Sequence, residues 1–226
     1  MHNYAGSLFK LYENTENIEY LNRSIDLYCE ANHLWEGSNI NIPYQCGIAL
    51  VNRVEWTHKQ NNRKLDENAN QDLKDSLKYL CHTENIAHPD HPFQSSIQEV
   101  LAHAHLLKGG SENQQIAFNL FECAVKHITG SPQDCLHVGH NWIIDVIKLE
   151  DFKEATCMYG YTMDVLYHSL STNPTILSQH QLIHWSKPDS QSSLTFTSDA
   201  AYATIRAKNP KRVVELLEQG HRLLWS

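Results

Sequence analysis

The chain has 226 residues, of which 41% are hydrophobic and 19% charged, a balance typical of a soluble globular protein and not of a disordered chain. Its formal net charge of −8 argues against the basic face that nucleic-acid binding requires. No window approaches about 18 consecutive apolar residues, and the N-terminus lacks a basic start followed by an apolar core. The sequence therefore predicts neither a membrane span nor a secretory signal.

Six cysteines are spread along the chain, and none forms a C-x-x-C pair: Cys29, Cys46, Cys81, Cys123, Cys135 and Cys157. In a chain of this length the pattern predicts reduced thiols in a cytoplasmic protein and not a disulfide framework. Cys29, Cys123 and Cys157 fall on or beside the apolar faces of predicted helices. We therefore expect these three thiols to be buried and unreactive.

Apolar residues recur at steps of three and four along most of the chain, which predicts helices, whereas strand signals are weak throughout. Two helix starts are well marked, because Ser131 before Pro132 and Asn209 before Pro210 each combine an N-cap residue with a proline in the first turn. In chain order, helices are predicted over residues 3–14, 17–34, 43–60, 67–81, 93–108, 112–129, 131–148, 150–169, 199–208 and from 210 onward.

The predicted helices form pairs that recur roughly every 40–50 residues. Helices joined by short turns are antiparallel neighbours, and a regular recurrence of such pairs indicates a stack in which each hairpin covers the apolar face of the next. The predicted fold is therefore all-α, with antiparallel helical hairpins stacked as a degenerate TPR-like superhelix. A helical bundle without repeats is the alternative.

The first hairpin, "YAGSLFKLYENTENIEYLNRSIDLYCEA", fits the tetratricopeptide (TPR) pattern best. Ala5-Gly6 with Leu8 fits the small-residue position of its first helix, and Tyr28 with Ala31 fits the packing positions of its second helix. A small residue at that position lets adjacent helices approach closely. The later units are longer and more degenerate.

Two stretches resemble a known family. "LYENTENIEYLNRSIDLYCEA" is similar to the TPR repeats of a large group of fungal proteins. "HNWIIDVIKLEDFKEATCMYGYTMDVL", followed by "SDAAYATIRAKNPKRVVELLEQGHRLLWS", resembles the helical segment that precedes the CHAT domain, a caspase-like peptidase fold, in those proteins. The resemblance implies degenerate repeats over residues 1–130 and a segment of the pre-CHAT type over 131–226. His221 stands where the family pattern leads us to expect Arg.

The resemblance also bears on the end of the chain, where the last helix carries an apolar stripe of Val213, Leu216, Leu217, Gly220, Leu223 and Leu224. Leu223, Leu224 and Trp225 stand in an uncapped final turn, and we expect them to contact either a partner or a CHAT domain that is missing from this chain. The chain would then be a fragment or a truncated form. No residue inherits the catalytic role, because a caspase-like His and Cys are brought together by a sheet that this sequence lacks.

Histidines supply the candidate metal ligands. His137 and His140 share a predicted helix near Cys135, His180 and His184 are four residues apart in "HQLIH", and "HPDH" contains His88, Asp90 and His91. "HQLIH" lacks the glutamate of the zinc-hydrolase motif, and the prolines of "HPDHP" favour a turn. We therefore predict no metal and no cofactor, and keep a small metal-binding helical-bundle enzyme as the alternative.

These observations favour a non-enzymatic helical-repeat scaffold for protein–protein interaction. Its expected partner is a protein or peptide, or the missing CHAT domain, whose activity the repeats would regulate. The tryptophans other than Trp225 are expected in the core. In the helix that follows Ser131, we predict an inward face of Val138, Trp142, Val146 and Ile147.

Overall fold

The computed structural model describes residues 2–34, 39–61, 64–127, 131–172 and 193–225, and for 193–195 and 222–225 it describes the backbone only. Within these ranges the regular structure is entirely helical, which confirms the all-α prediction. The helices are α1 (His2–Thr15), α2 (Ile18–Leu34), α3 (Asn41–Gln60), α4 (Glu67–Ile86), α5 (Gln94–Lys108), α6 (Ser111–Val125), α7 (Pro132–Lys148), α8 (Phe152–Thr172), α9 (Ser193–Arg206) and α10 (Pro210–Trp225).

Capping side chains set several helix starts. The Ser131 hydroxyl accepts the Asp134 backbone N–H at 3.1 Å, with Pro132 in the first turn, and the Asn209 amide oxygen accepts the Arg212 N–H at 3.3 Å. Both predicted N-caps are therefore confirmed. The Asp66 carboxylate similarly caps α4 through the Ala69 N–H at 2.7 Å.

Some predicted helix boundaries are wrong, and the local sequence or a local contact explains each difference. Helix α4 continues beyond residue 81 to Ile86, because nothing before Pro89 breaks it. Helix α6 ends at Val125 and not at 129, because the His127 N–H donates to the Ala124 carbonyl and closes a tighter turn there. Helix α9 begins at Ser193, six residues early, and carries buried Phe196.

A pair of glycines links α5 to α6. Gly109 and Gly110 have φ values of +72° and +84°, a region that residues with a Cβ rarely adopt. Both glycines are exposed, and a Cβ built at Gly109 would meet no atom within 4 Å. The reversal between the two helices therefore depends on the backbone freedom of the two glycines, and the Asn113 amide donates to the Gly109 carbonyl at 2.8 Å.

The chain divides into two compact units, Met1–Leu120 and Phe121–Ser226. In the first unit, each of α2 to α5 packs on the helix before it. The first hairpin is held as the TPR pattern predicts, since Ala5, Leu8, Tyr28 and Ala31 are all buried. A Cβ at Gly6 would lie 3.5 Å from the Tyr28 hydroxyl oxygen, so a small residue is placed where α1 and α2 approach.

The second unit is built around α8, which packs against α7, α9 and α10. Trp142 is fully buried, as predicted, with its ring stacked on Phe121 at a centroid distance of 5.2 Å. Tyr159 of α8 meets Phe196 of α9 edge-on at 4.9 Å. This aromatic contact explains why α9 begins earlier than its sequence alone indicates.

Two aliphatic residues predicted on apolar faces are instead exposed. Ile147 has 37% of its surface exposed, while Val138, Trp142 and Val146 of the same helix are buried. Val138, Trp142 and Val146 are spaced four apart and share one face, whereas Ile147 is rotated by about 100° from Val146. Leu217 is 41% exposed for the same reason, beside the fully buried Leu216.

Candidate functional site

The predicted contact at the end of the chain involves Leu223, Leu224 and Trp225. Helix α10 includes all three residues, but their side chains lie outside the described part of the chain. Their role as a contact therefore stays a prediction. The described part of the same helix forms a groove further upstream.

This groove lies between α8 and α10 and has a volume of about 880 Å³. We call it the α8–α10 groove, and its lining residues are Asp164, Tyr167, Lys211, Arg212, Val214, Glu215, Glu218 and Gln219. The Gln219 amide donates to the Asp164 carboxylate at 2.6 Å and ties the two helices together across it. The groove is therefore held by a contact between the two helices that form it.

Two apolar side chains of the groove face solvent. Tyr167 on α8 is 49% exposed and Val214 on α10 is 60% exposed. Val214 lies off the buried stripe that Leu216 and Gly220 continue, so helical geometry holds it out of the core. An exposed aromatic and an exposed β-branched side chain in one groove offer apolar area to a ligand.

Charges of both signs surround these side chains. Lys211 and Arg212 face the carboxylates of Asp164, Glu215 and Glu218 within the same lining. The Arg212 guanidinium donates to Glu215 at 2.8 Å, and this hydrogen bond lowers the pKa of the Glu215 carboxyl below its usual range. The groove can therefore contact both signs of charge on a ligand while Tyr167 and Val214 contact an apolar group.

Sequence reasoning did not find this groove. The apolar stripe of the last helix pointed toward the end of the chain. Val214, between Arg212 and Glu215, lies off that stripe and was not predicted to bind anything. An apolar residue at a position that the helical period assigns to solvent was the available signal. Tyr167 gave the same signal in α8.

The histidines of α7 do not form a metal site with Cys135. The His137 ring Nε2 lies 3.0 Å from the Asn141 amide nitrogen, a hydrogen bond between successive turns of the helix. The Cys135 thiol instead donates to the backbone carbonyls of Ala124 and His127, at 3.9 and 3.7 Å. Burial, with a smaller effect from His137, lowers the pKa of His140.

The "HPDH" stretch is a turn, as its prolines predict. The His88 ring Nδ1 accepts the Asp90 N–H at 3.2 Å, and the His91 ring Nδ1 accepts the Phe93 N–H at the same distance. Each imidazole thus satisfies a backbone donor two residues ahead of it, as a short polar side chain does in other turns. Both rings use Nδ1 to hold the backbone between α4 and α5.

His180 and His184 lie outside the described residues. Among the residues that the structure describes, no group of three or more His, Cys, Asp or Glu side chains is arranged to hold a metal ion. The metal-enzyme alternative therefore gains no support from the other two histidine clusters.

The prediction that three cysteines are buried is wrong, and two of the thiols are in contact. Cys123 and Cys157 are exposed, not buried.

Cys29, expected to be buried and inert, is only partly buried, and its sulfur lies 3.3 Å from that of the buried Cys46. Cys29 is five residues before the end of α2 and Cys46 five residues after the start of α3. Equal spacing from an interhelical connection places two residues at one level of antiparallel neighbours, and this signal was in the sequence.

No helix in the described ranges is long and apolar enough to span a membrane.

Comparison with solved structures finds a crystal structure from Podosopora anserina, described as a putative kinesin light chain with nearly identical TPR-like repeats. The two chains share 16% sequence identity with a TM-score of 0.52, over 99% of this chain and 92% of that one. At this identity the likeness shows the fold alone, and that fold is TPR-like. No protein-family model matches the chain, and a search of curated proteins finds no match.

Proposed function

We propose that the chain is a non-enzymatic helical-repeat scaffold that binds a protein or peptide partner in the α8–α10 groove. The TPR-like fold supports this function, because stacked helical hairpins present grooves that suit peptide or helix binding. The observation that carries the proposal is the exposure of Tyr167 and Val214 together in one groove. Aromatic side chains in such positions contribute a large share of binding energy.

The groove also indicates the chemistry of the partner. An apolar side chain of the partner would pack between Tyr167 and Val214. A basic group on one side of that residue would meet Asp164 or Glu218, and an acidic group on the other side would meet Lys211. The favoured ligand is thus a peptide segment with one large apolar residue flanked by charges of opposite sign.

The finer proposal concerns the rest of the protein. The resemblance of residues 131–226 to the segment preceding a CHAT domain supports a role as the recognition or regulatory part of a CHAT-type peptidase, with residues 1–130 as its repeats. Leu223, Leu224 and Trp225 would then contact the CHAT domain. Sequencing the transcript through the codon for Ser226 tests this, because a strand-rich continuation with a His and a Cys supports the proposal and a stop codon contradicts it.

Binding in the groove is tested with the full chain and a displayed library of random peptides. We expect selected peptides to carry one large apolar residue between charges of opposite sign. Tyr167→Ala and Val214→Asp should each weaken their binding by about tenfold or more, the loss expected of a central contact. Tyr4→Ala removes a tyrosine of similar exposure on α1 and serves as the matched control, since Tyr4 is 59% exposed outside the groove.

Equal binding by the wild type and both groove variants would overturn the site while leaving a scaffold function elsewhere on the chain. If no peptide were enriched, the groove would not be a peptide-binding site. Circular dichroism of each variant checks that the helices are retained, which is expected because both substituted side chains are substantially exposed.

A further inference from the structure

The junction between α2 and α3 contains two thiols in contact. The sulfur atoms of Cys29 and Cys46 are 3.3 Å apart. They need to approach by only about 1.2 Å more to reach the length of a disulfide bond. The two residues sit at the same level of neighbouring helices, so bond formation needs a local adjustment and no rearrangement of the hairpins. Residues of the surrounding core, among them Tyr28 and Ala49, hold both helices in place.

The two thiols differ in chemistry. The hydrogen bond from the Cys46 thiol is the main cause that lowers the pKa of Cys29, to about 7, and a hydrogen bond with Tyr79 and the charge of Arg53 act in the same direction. The same sulfur–sulfur contact, together with burial, raises the pKa of Cys46. One partly exposed thiol is thus the nucleophile, and the buried thiol keeps its proton and hydrogen-bonds to it.

The attacking thiol is also reachable. Cys29 is partly exposed, whereas Cys46 is fully buried. Tyr79, which helps to lower the pKa of Cys29, also lines a cavity of about 330 Å³ that Ile42, Pro43 and His82 help to form. Because Cys29 is itself partly exposed, a small oxidant can approach it without opening the hairpins, whereas Cys46 is buried.

We propose that Cys29 and Cys46 form a reactive dithiol that a hydroperoxide converts into an intramolecular disulfide. The Cys29 thiolate attacks the terminal peroxide oxygen, the O–O bond breaks, and the alkoxide or hydroxide leaves and takes up a proton, so that Cys29 becomes a sulfenic acid. The Cys46 sulfur then attacks the Cys29 sulfur. The S–O bond breaks, water leaves with the Cys46 proton, and the two thiols have lost two electrons to the peroxide. This inference does not depend on the proposed function.

The disulfide would tie α2 to α3 covalently, across the connection between the first and second hairpins. Closing this loop restricts the unfolded chain, so the oxidised protein should melt several degrees higher than the reduced protein. Because the native sulfurs are already in contact, little strain should oppose this gain.

The test uses the full chain, reduced and then treated with one equivalent of hydrogen peroxide, quenched with N-ethylmaleimide and mapped by mass spectrometry. Trypsin leaves both cysteines in the peptide 24–53, because no Lys or Arg lies between Arg23 and Arg53. We expect this peptide to lose the mass of two hydrogen atoms and to carry no maleimide. Cleavage after Glu30 and Glu36 should then give two peptides joined by a reducible bond.

Three substitutions make the test specific. In Cys46→Ser, we expect Cys29 to stop at a sulfenic acid that a dimedone probe traps, and in Cys29→Ser we expect no oxidation of Cys46. Cys157→Ser, at an exposed thiol, is the matched control and should leave the 24–53 disulfide unchanged. The proposal is overturned if peptide 24–53 of the wild type remains fully alkylated while Cys123 or Cys157 is oxidised, or if Cys29 pairs with another cysteine. The wild-type map decides the question even if a variant folds poorly.

Discussion

The helix pairs α3–α4 and α7–α8, one in each compact unit, both cross at a glycine but meet different neighbours there. A Cβ built at Gly47 would lie 2.6 Å from Cγ of Leu80, and one built at Gly139 would lie 2.3 Å from Oγ1 of Thr162. Leu80 and Thr162 are both buried. Close approach of antiparallel helices thus requires a small residue in both pairs, while the side chain that occupies the space is apolar in one and polar in the other.

The two pairs also differ in what reinforces the crossing. In α3–α4, the Arg53 guanidinium holds Asp72 through two hydrogen bonds of 2.6 and 2.7 Å and reaches Asn22 of α2 at 3.2 Å. Beside the α7–α8 crossing, the contact to the preceding helix is instead aromatic, since Trp142 of α7 stacks on Phe121 of α6. A degenerate repeat therefore keeps the geometry of its hairpins while the chemistry that fixes them changes.

The largest effect should come from the aromatic core of the second unit. Trp142→Ala should lower the free energy of unfolding by about 3–5 kcal/mol, because it removes a large, fully buried ring and leaves a cavity. Urea unfolding followed by circular dichroism measures this loss. Trp56→Ala is the matched control in α3, where the ring is only half-buried, and its cost should be clearly smaller. Equal costs would show that the full burial of Trp142 does not set its contribution to stability.

The glycine crossings can be distinguished by paired substitutions. Gly139→Ala should lower the free energy of unfolding by about 1–3 kcal/mol through overpacking, less the gain of up to about 1 kcal/mol from better helix propensity. Adding Thr162→Ala should recover most of the loss, since it removes the clashing hydroxyl. Thr162→Ser should not, because the Oγ1 that bonds the Met158 carbonyl at 2.9 Å remains.

The same design in α3–α4 should give the opposite result. Adding Leu80→Ala to Gly47→Ala should not recover stability, because removing a fully buried leucine costs about 2–5 kcal/mol in its own right. Urea unfolding of the single and double variants measures the coupling in each pair. Rescue in both pairs, or in neither, would show that the polar or apolar nature of the facing side chain does not matter.

The ion pair of α3–α4 should have a moderate effect. Arg53→Ala should lower the free energy of unfolding by about 1–2 kcal/mol, because it removes two charge-assisted hydrogen bonds from a partly buried carboxylate. Lys148→Ala removes a single hydrogen bond to the partly buried Asp145 in α7, from a lysine side chain that is 64% exposed, and should cost only about 0.2–1 kcal/mol. A loss at Arg53 no greater than that at Lys148 would show that packing alone holds the α3–α4 pair.

The smallest expected effect concerns the pH dependence of thiol alkylation. Only the thiolate reacts, so the rate at Cys29 should rise with pH and reach half its plateau at about pH 7, the pKa of this thiol. At pH 7 it should exceed the rate of a thiol of ordinary pKa by about five- to tenfold, since the larger thiolate fraction outweighs the lower intrinsic nucleophilicity. Partial desolvation of the Cys157 thiol, with the nearby charge of Glu154, raises its pKa, so this thiol should need a higher pH. Rates from timed iodoacetamide labelling would refute the assignment if Cys29 followed Cys157.

Much of the fold could be predicted from the sequence, because helical periods and caps act locally. Ser131 and Asn209 capped the helices that they were predicted to cap, and Tyr28 packed where the TPR pattern indicated. The early start of α9 could not be predicted in this way, since the contact of Phe196 with Tyr159 depends on the fold. The α8–α10 groove and the dithiol were missed because each brings together side chains from two helices, whereas the motifs considered lie within one.

The Gly109–Gly110 reversal between α5 and α6 makes this position useful for engineering. The glycines are exposed, and the space around the Gly109 Cβ position is open. Lengthening an exposed loop costs little, because the entropy of loop closure rises only slowly with length. An epitope, a fluorescent-labelling tag or new chain ends could therefore be introduced at this turn, which belongs neither to the helices that form the groove nor to those that carry the two thiols.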